Sequence, residues 1–204
     1  MLARYGASSI IVSLIAGAGA CVAGGLFLDT IDAVFCALLA ATTLIIAVVD
    51  LHRFEIPDPA NIAVFLLGLG WSQAWGFDVD ALIQAVIRSL VTAGLLLAVR
   101  AGYRAVRKMD GLGLGDVKLA GAGAAWLSYP HIAVVCLIAV VAAIAVIVAR
   151  YAVAGERMTA HAAVPFGTFL APAVWIVWFV QSAGFDWTVG ADQWLSVFGS
   201  RPFQ

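Results

Sequence analysis

An all-α, polytopic membrane bundle is predicted by three observations. Hydrophobic residues make up 64% of the 204-residue chain and charged residues only 11%, against about 25% charged in soluble domains. Mean hydropathy is +1.04. Apolar runs close to the roughly 20 residues that cross a bilayer recur from end to end. Residues 1–182 read as a single transmembrane domain, and residues 183–204 as a C-terminal tail, amphipathic or disordered, on the outer, periplasmic surface. The net charge of −1 offers no basic field for nucleic acid and is far too small for a disordered chain.

About seven spans follow in order: Ser9 to Leu28, Ile31 to Val49, Ala60 to Trp75, Val79 to Val99, Val117 to Tyr129, His131 to Ala149 and Val164 to Ser182. The first is expected to be a retained helix. Its apolar run outlasts the roughly 7 to 15 residues of a cleaved signal core, and Gly17, Gly19, Gly24 and Gly25 would let another helix approach closely. The third and fifth spans are short and need their flanks to reach across.

Orientation comes from the basic residues. Arg4, Arg53, Arg100, Arg104, Arg107, Lys108, Lys118, Arg150 and Arg157 fall at one set of helix ends, which places that side and the N-terminus in the cytoplasm. Asp29, Asp32, Asp78, Asp80, Asp186 and Asp192 mark the other ends. Trp71, Trp75, Trp126 and Trp187 lie near the outer ends, where indole rings favour the interface. Arg88 falls inside the fourth span, with pairing to Asp32, a cavity position and a structural or snorkelling role all open to it.

Cys21, Cys36 and Cys136 sit singly in apolar runs, without the paired spacing of thiolate metal sites. They read as packing residues, and no metal or other cofactor is expected. His52 tops a helix, and His131 and His161 read as interfacial loop residues.

Three segments carry unusual local sequence. In Asp50-Leu51-His52-Arg53-Phe54-Glu55-Ile56-Pro57-Asp58, Pro57 disfavours helix at Ile56 and so places Asp50 near a helix C-terminus. Taken alone, Asp50 reads more readily as a solvated acid paired with Arg53. In Asp110-Gly111-Leu112-Gly113-Leu114-Gly115-Asp116-Val117-Lys118, alternate glycines lead into a carboxylate at the start of a span. Such glycines permit positive φ or the close approach of another chain. A phosphate loop is excluded by the missing Gly-Lys-Ser/Thr and by the charge of Asp116, whereas an N-cap explains Asp116 but not the glycines. In Val164-Pro165-Phe166-Gly167-Thr168-Phe169-Leu170-Ala171-Pro172, a loosened helix start points to a cavity.

All three segments fall on the cytoplasmic side of a topology drawn without them. Two carboxylates in a partly dry site share one proton, so that one can draw a proton from water attacking a carbonyl. Helix potentials predict the proton on Asp50, at a C-terminus, and the charge on Asp116, at an N-terminus.

Asp50 followed by Pro57, Gly113-Leu114-Gly115-Asp116-Val117-Lys118, and Pro165-Phe166-Gly167 together resemble the type IV prepilin peptidases, aspartic endopeptidases of the GxGD type in the bacterial inner membrane. The resemblance implies a membrane-embedded leader peptidase serving type IV pili or protein secretion. It would cut prepilins or pseudopilins on the cytoplasmic side, after the glycine that precedes their hydrophobic helix. It makes Asp50 and Asp116 the catalytic pair and gives Gly113 and Gly115 the shaping of the loop. Lys118 would hold the loop or an acidic residue of the substrate, and Pro57, Asp58, Pro165, Phe166 and Gly167 complete the surroundings. The chain departs from the family pattern at Asp58, where Asn is frequent, and at Thr168, where Pro is frequent. The resemblance also implies a short form: without the cysteine pairs that bind zinc in many members, peptidase activity is expected without N-methyltransferase activity. Asp58, Glu55 and Asp110 would attract a basic leader.

The alternative function is a small transporter component using Asp50 and Asp116 for protons or cations, which would place them near the bilayer midplane. A presenilin-like protease would need a Tyr-Asp pair and a Pro-Ala-Leu motif, and neither is present.

Overall fold

A computed structural model describes residues 19, 22, 24–154 and 165–184, with the side chains of 150, 151, 153 and 154 left aside. Among them every regular element is helical: α1 Thr30–Arg53, α2 Asp58–Ser72, α3 Val79–Arg107, α4 Leu114–Ala124, α5 Tyr129–Ala154 and α6 Gly167–Ser182. A helical segment at 24–27 precedes α1. The rest of the expected first span, Arg4, His161 and nearly all of the tail, with Trp187, lie outside the described residues.

Among the described residues three helices, α1, α3 and α5, are long and apolar enough to cross a membrane. α2 and α6 have 15 and 16 residues and α4 only 11. At 1.5 Å per residue, α4 is about 16 Å long, roughly half of a bilayer's hydrocarbon core. The expected fifth span from Val117 to Tyr129 is therefore corrected. The helix starts earlier, at Leu114, and its last turn tightens through bonds from the N–H groups of Ala125, Trp126 and Leu127 to the carbonyls three residues back. α3 conversely runs past Val99 to Arg107. Basic Arg104 and Arg107 suit its C-terminal turn, and Lys108 then turns away at φ 55°.

α4 occupies the centre of the bundle and touches α2, α3, α5 and α6, while α1 packs chiefly on α6 and α2. Its Ala120-Gly121-Ala122-Gly123-Ala124 run allows this. A Cβ on Gly121 would stand 3.0 Å from Ala93 Cβ on α3, and one on Gly123 would stand 2.8 Å from Val174 on α6. Small residues let membrane helices pack backbone to backbone. The core around α4 holds Leu39, Ile46, Val64, Leu119, Leu170 and Val177, all 2% exposed or less. Leu90, Leu95, Leu137 and Ile144 point outward from α3 and α5, as lipid-facing residues do.

The end of the bundle at Ser72 and Val79 is closed by tryptophans. Trp126 is stacked on Trp71 with ring centroids 6.0 Å apart and meets Trp178 edge-on at 5.2 Å. Trp126 is fully buried, its indole N–H donating to the Val64 carbonyl at 2.8 Å. The expectation that it lies at the membrane interface is thus corrected: the missing side chain of Gly68 opens a slot for the indole inside the bundle. Asp32 accepts from the Trp71 indole. Arg88 does not pair with it, donating instead to the carbonyls of Ala124 and Ala125 at the end of α4. His131 is 4% exposed at the start of α5, with Nδ1 against Ser128 Oγ, so the expected interfacial loop position is also corrected.

Candidate active site

Asp50 stands in the last turn of α1, where the N–H of Phe54 returns to the Asp50 carbonyl and Phe54 takes a left-handed φ of 55°. The chain then runs extended into Pro57 and restarts as α2. Ile56-Pro57 thus breaks the helix as the proline requires. Asp50 is 4% exposed. Its Oδ2 accepts from the Thr168 backbone N–H at 2.8 Å and from the Thr168 hydroxyl at 3.3 Å. The same hydroxyl also reaches the Ala47 carbonyl.

Asp116 is neither the first residue of its helix nor its cap. Gly113 is the N-cap, in extended conformation, and Asp116 is the third helical residue. From there its carboxylate reaches back to the Gly113 backbone, the reach of a capping box. Asp116 lies outside the three long spans, half-buried. Burial first, and the charge of Asp50 second, push its carboxyl up to about 6, while the Gly113 hydrogen bond pulls down. At Asp116 burial outweighs the dipole of the short α4. Two Thr168 donors fix the position of the Asp50 carboxyl.

The glycines of the second segment serve close approach and not unusual backbone: none of Gly111, Gly113 and Gly115 has positive φ. A Cβ on Gly113 would stand 2.7 Å from Asp116 Oδ2, one on Gly115 3.1 Å from Ile56 Cβ, and one on Gly111 2.6 Å from the Tyr103 ring. Gly167 obeys the same rule, its absent Cβ leaving room for Ile56 Cδ1 at 2.6 Å and Asp50 Oδ2 at 2.9 Å. Ile56 is consequently wedged between Gly115 of α4 and Gly167 of α6, and it locks the two aspartate-bearing segments together.

The structure brings Asp50, Pro57, Asp58, Gly113, Gly115, Asp116 and Lys118 around one cleft of about 460 Å³, with Phe54, Glu55, Ile56 and Leu114 in the same wall. Lys118 Nζ meets Asp58 Oδ1 at 2.7 Å, so Lys118 ties the start of α2 to α4. Asp110 is engaged by Arg100 at 3.1 Å and Arg104 at 3.8 Å, which draws it away from the role expected for it with Glu55 and Asp58. Pro165 and Phe166 do not line this cleft: Phe166 caps α6 and faces a second cavity. Among the described residues, no group of three or more His, Cys, Asp or Glu side chains is placed to hold a metal ion.

Ile56 and Thr168 line the site although the sequence reading gave neither a role in it; the departure from the family pattern at Thr168 was the available signal. Chemically, two carboxyls on one cleft can share a proton, one drawing a proton from water while the other donates one.

Relatives from two species are named prepilin leader peptidase/N-methyltransferase. The one from Burkholderia pseudomallei is 32% identical over 167 residues, covering 81% of this chain and 52% of its own length. The one from Escherichia coli is 32% identical over 118 residues, covering 58% of this chain and 47% of its own. Leader peptidase HopD of Escherichia coli is 28% identical over 143 residues, covering 70% of this chain and 90% of its own. The chain thus spans about half the length of the first of these relatives. No solved structure matches it. The model of the type IV leader peptidase family matches residues 37–148, more than half of the sequence, from within α1 to within α5 and including Asp50 and Asp116; the chain belongs to that family.

Proposed function

We propose that the protein is an aspartic-type endopeptidase that removes the leader of type IV prepilins or pseudopilins, cutting after the glycine that precedes their hydrophobic helix. The observation that carries this reading is the pair Asp50 and Asp116, delivered by separate segments to one cleft and close enough for the charge of one to raise the other. Asp50, held by Thr168, is the carboxylate that takes a proton from the attacking water. Asp116 gives its proton to the scissile carbonyl oxygen as the gem-diol forms; when the C–N bond breaks, Asp50 passes the proton it took from water to the leaving amine and Asp116 takes a proton back from the gem-diol hydroxyl. Two neighbouring carboxyls sharing one proton supply both functions at once.

The cleft faces the cytoplasm of a bacterial inner membrane in this reading. It is supported by Arg100, Arg104, Arg107 and Lys118, all at that end of the bundle. The N-terminus is assigned to the same side. The activity is proposed to be cleavage without N-methylation and without zinc, on the ground that Cys21, Cys36 and Cys136 include no Cys-x-x-Cys pair. Zinc in the purified protein, or methyl transfer from S-adenosylmethionine, would contradict that part alone.

The test is incubation of the purified chain in lipid with a substrate made of a basic leader, a glycine and an apolar helix, with the cut mapped by mass spectrometry. Wild type is expected to cut after the glycine, and Asp50→Asn and Asp116→Asn to cut nothing. Folded protein that leaves several such substrates intact would overturn the reading.

A further inference from the structure

Asp116 lines two cavities and is the residue they have in common. One is the polar cleft of about 460 Å³ already described. The other, of about 380 Å³, is walled by Leu96 and Val99 of α3, Cys136 and Val140 of α5, and Leu170 of α6, with Ala120 of α4 at its base. It exists because α3 and α5 scarcely touch: α3 packs on α4 and α5 packs on α6, which leaves a fissure between them. Val99 and Val140, one on each lip, are 56% and 43% exposed, so in a bilayer the fissure opens toward lipid.

We infer that this fissure receives the apolar start of the substrate's helix, the residues just after the scissile bond, while the residues before the bond lie in the polar cleft. The inference rests on the peptidase reading and adds the direction in which the substrate lies. A peptide whose scissile bond sits at Asp116 must leave along two paths, and the two cavities are the paths the fold provides. Their chemistry decides the order. A basic leader residue in the fissure would lose hydration among largely apolar walls, facing Arg100 and with only Asp116, at the mouth shared with the cleft, to oppose its charge, whereas apolar side chains gain by leaving water. The volume suits the side chains of a first helical turn, leaving the rest of the helix against α3, α5 and lipid. The substrate class that fits is a segment that changes from polar to apolar at the bond that is cut.

Photocrosslinking tests this on the full chain in lipid. A photoreactive phenylalanine analogue is placed at Val140 or, separately, at Glu55 in the wall of the polar cleft. Each protein is first required to cut substrate, and Asp50→Asn is then added so that the substrate stays intact. The probe at Val140 is expected to capture residues after the scissile bond, and the probe at Glu55 residues before it. In parallel, Val140→Trp is expected to raise KM about tenfold or more by overfilling the fissure. Val148→Trp, on the outward face of the same helix, is expected to leave KM unchanged. Capture of leader residues at Val140, or of lipid alone at Val140 while Glu55 captures substrate, overturns the inference and leaves the peptidase reading intact. If the unlabelled wild type cuts no leader substrate, the peptidase reading fails and takes the inference with it.

Discussion

Thr168 directs both its backbone N–H and its hydroxyl to a single oxygen, Oδ2 of Asp50, at 2.8 and 3.3 Å. The two residues are 118 positions apart in sequence, and the contact fixes the last turn of α1 against the first turn of α6. Thr168→Val keeps the shape and the amide and removes the hydroxyl. One hydrogen bond of about 0.5 to 1.5 kcal/mol then predicts a loss of kcat of about two- to tenfold. Thr168→Ser should restore it. Steady-state cleavage rates of the three proteins check this, and an unchanged kcat in Thr168→Val would assign the orientation of Asp50 to the amide alone.

Asp116, raised to about 6 by burial and by Asp50, predicts a pH dependence in two separate readouts. Cleavage that needs a proton on Asp116 falls as pH rises through about 6, and the apparent value belongs to the coupled pair. Stability moves in the same direction. The folded value lies above the unfolded 3.8, so the native state binds the proton more tightly and stability declines between about pH 4 and 6, then levels. Asp116→Asn removes that decline. Thermal unfolding should therefore find the variant more stable than wild type at pH 7 and not at pH 4, although it is inactive.

Much of this cleft is legible in the sequence. Pro57 announced the end of α1, and three separated motifs converged on one end of a topology drawn from arginines and lysines. What composition could not supply were contacts that depend on depth and partner. The indole of Trp126 is as amphipathic inside a bundle as at an interface, and only the slot beside Gly68 decides its place. Arg88 reads as an intramembrane charge open to a counter-ion, a cavity or a structural role, and the carbonyls at the end of α4 that decide among these carry no sequence signal. The alternate glycines of 111–115 pointed to a special loop. That they serve Tyr103, Asp116 and Ile56 follows from tertiary packing alone.

Gly113→Ala and Gly68→Ala separate the site from the scaffold. An added Cβ at 113 would meet the free end of the Asp116 side chain at 2.7 Å, which can swing away. The fold is then kept and the carboxylate displaced, so kcat should fall at least about tenfold, as active-site misplacement does, with little change in melting temperature. An added Cβ at 68 would meet Trp126 Nε1 at 2.8 Å and Ala125 Cβ at 2.9 Å, both fixed in the core. Overpacking there costs about 1 to 3 kcal/mol, so this variant should lose stability and keep its kcat where it remains folded.

The Asp58–Lys118 pair gives a prediction in which loss of a bond improves binding. Its side chains are 64% and 53% exposed, and exposed pairs contribute about 0 to 1 kcal/mol, so Lys118→Gln should scarcely change stability. Its electrostatic effect on substrate is larger than its structural one, because Lys118 neutralises an acid on the wall of the cleft assigned to the leader. Freed of Lys118, Asp58 is available to a basic leader residue, and KM for a basic leader should fall about two- to fivefold. Asp58→Asn should raise KM instead. Both effects should fade in high salt, since surface charges are screened over about 10 Å at 0.1 M ionic strength. Equal KM values for all three proteins at low salt would mean that the leader does not approach the start of α2.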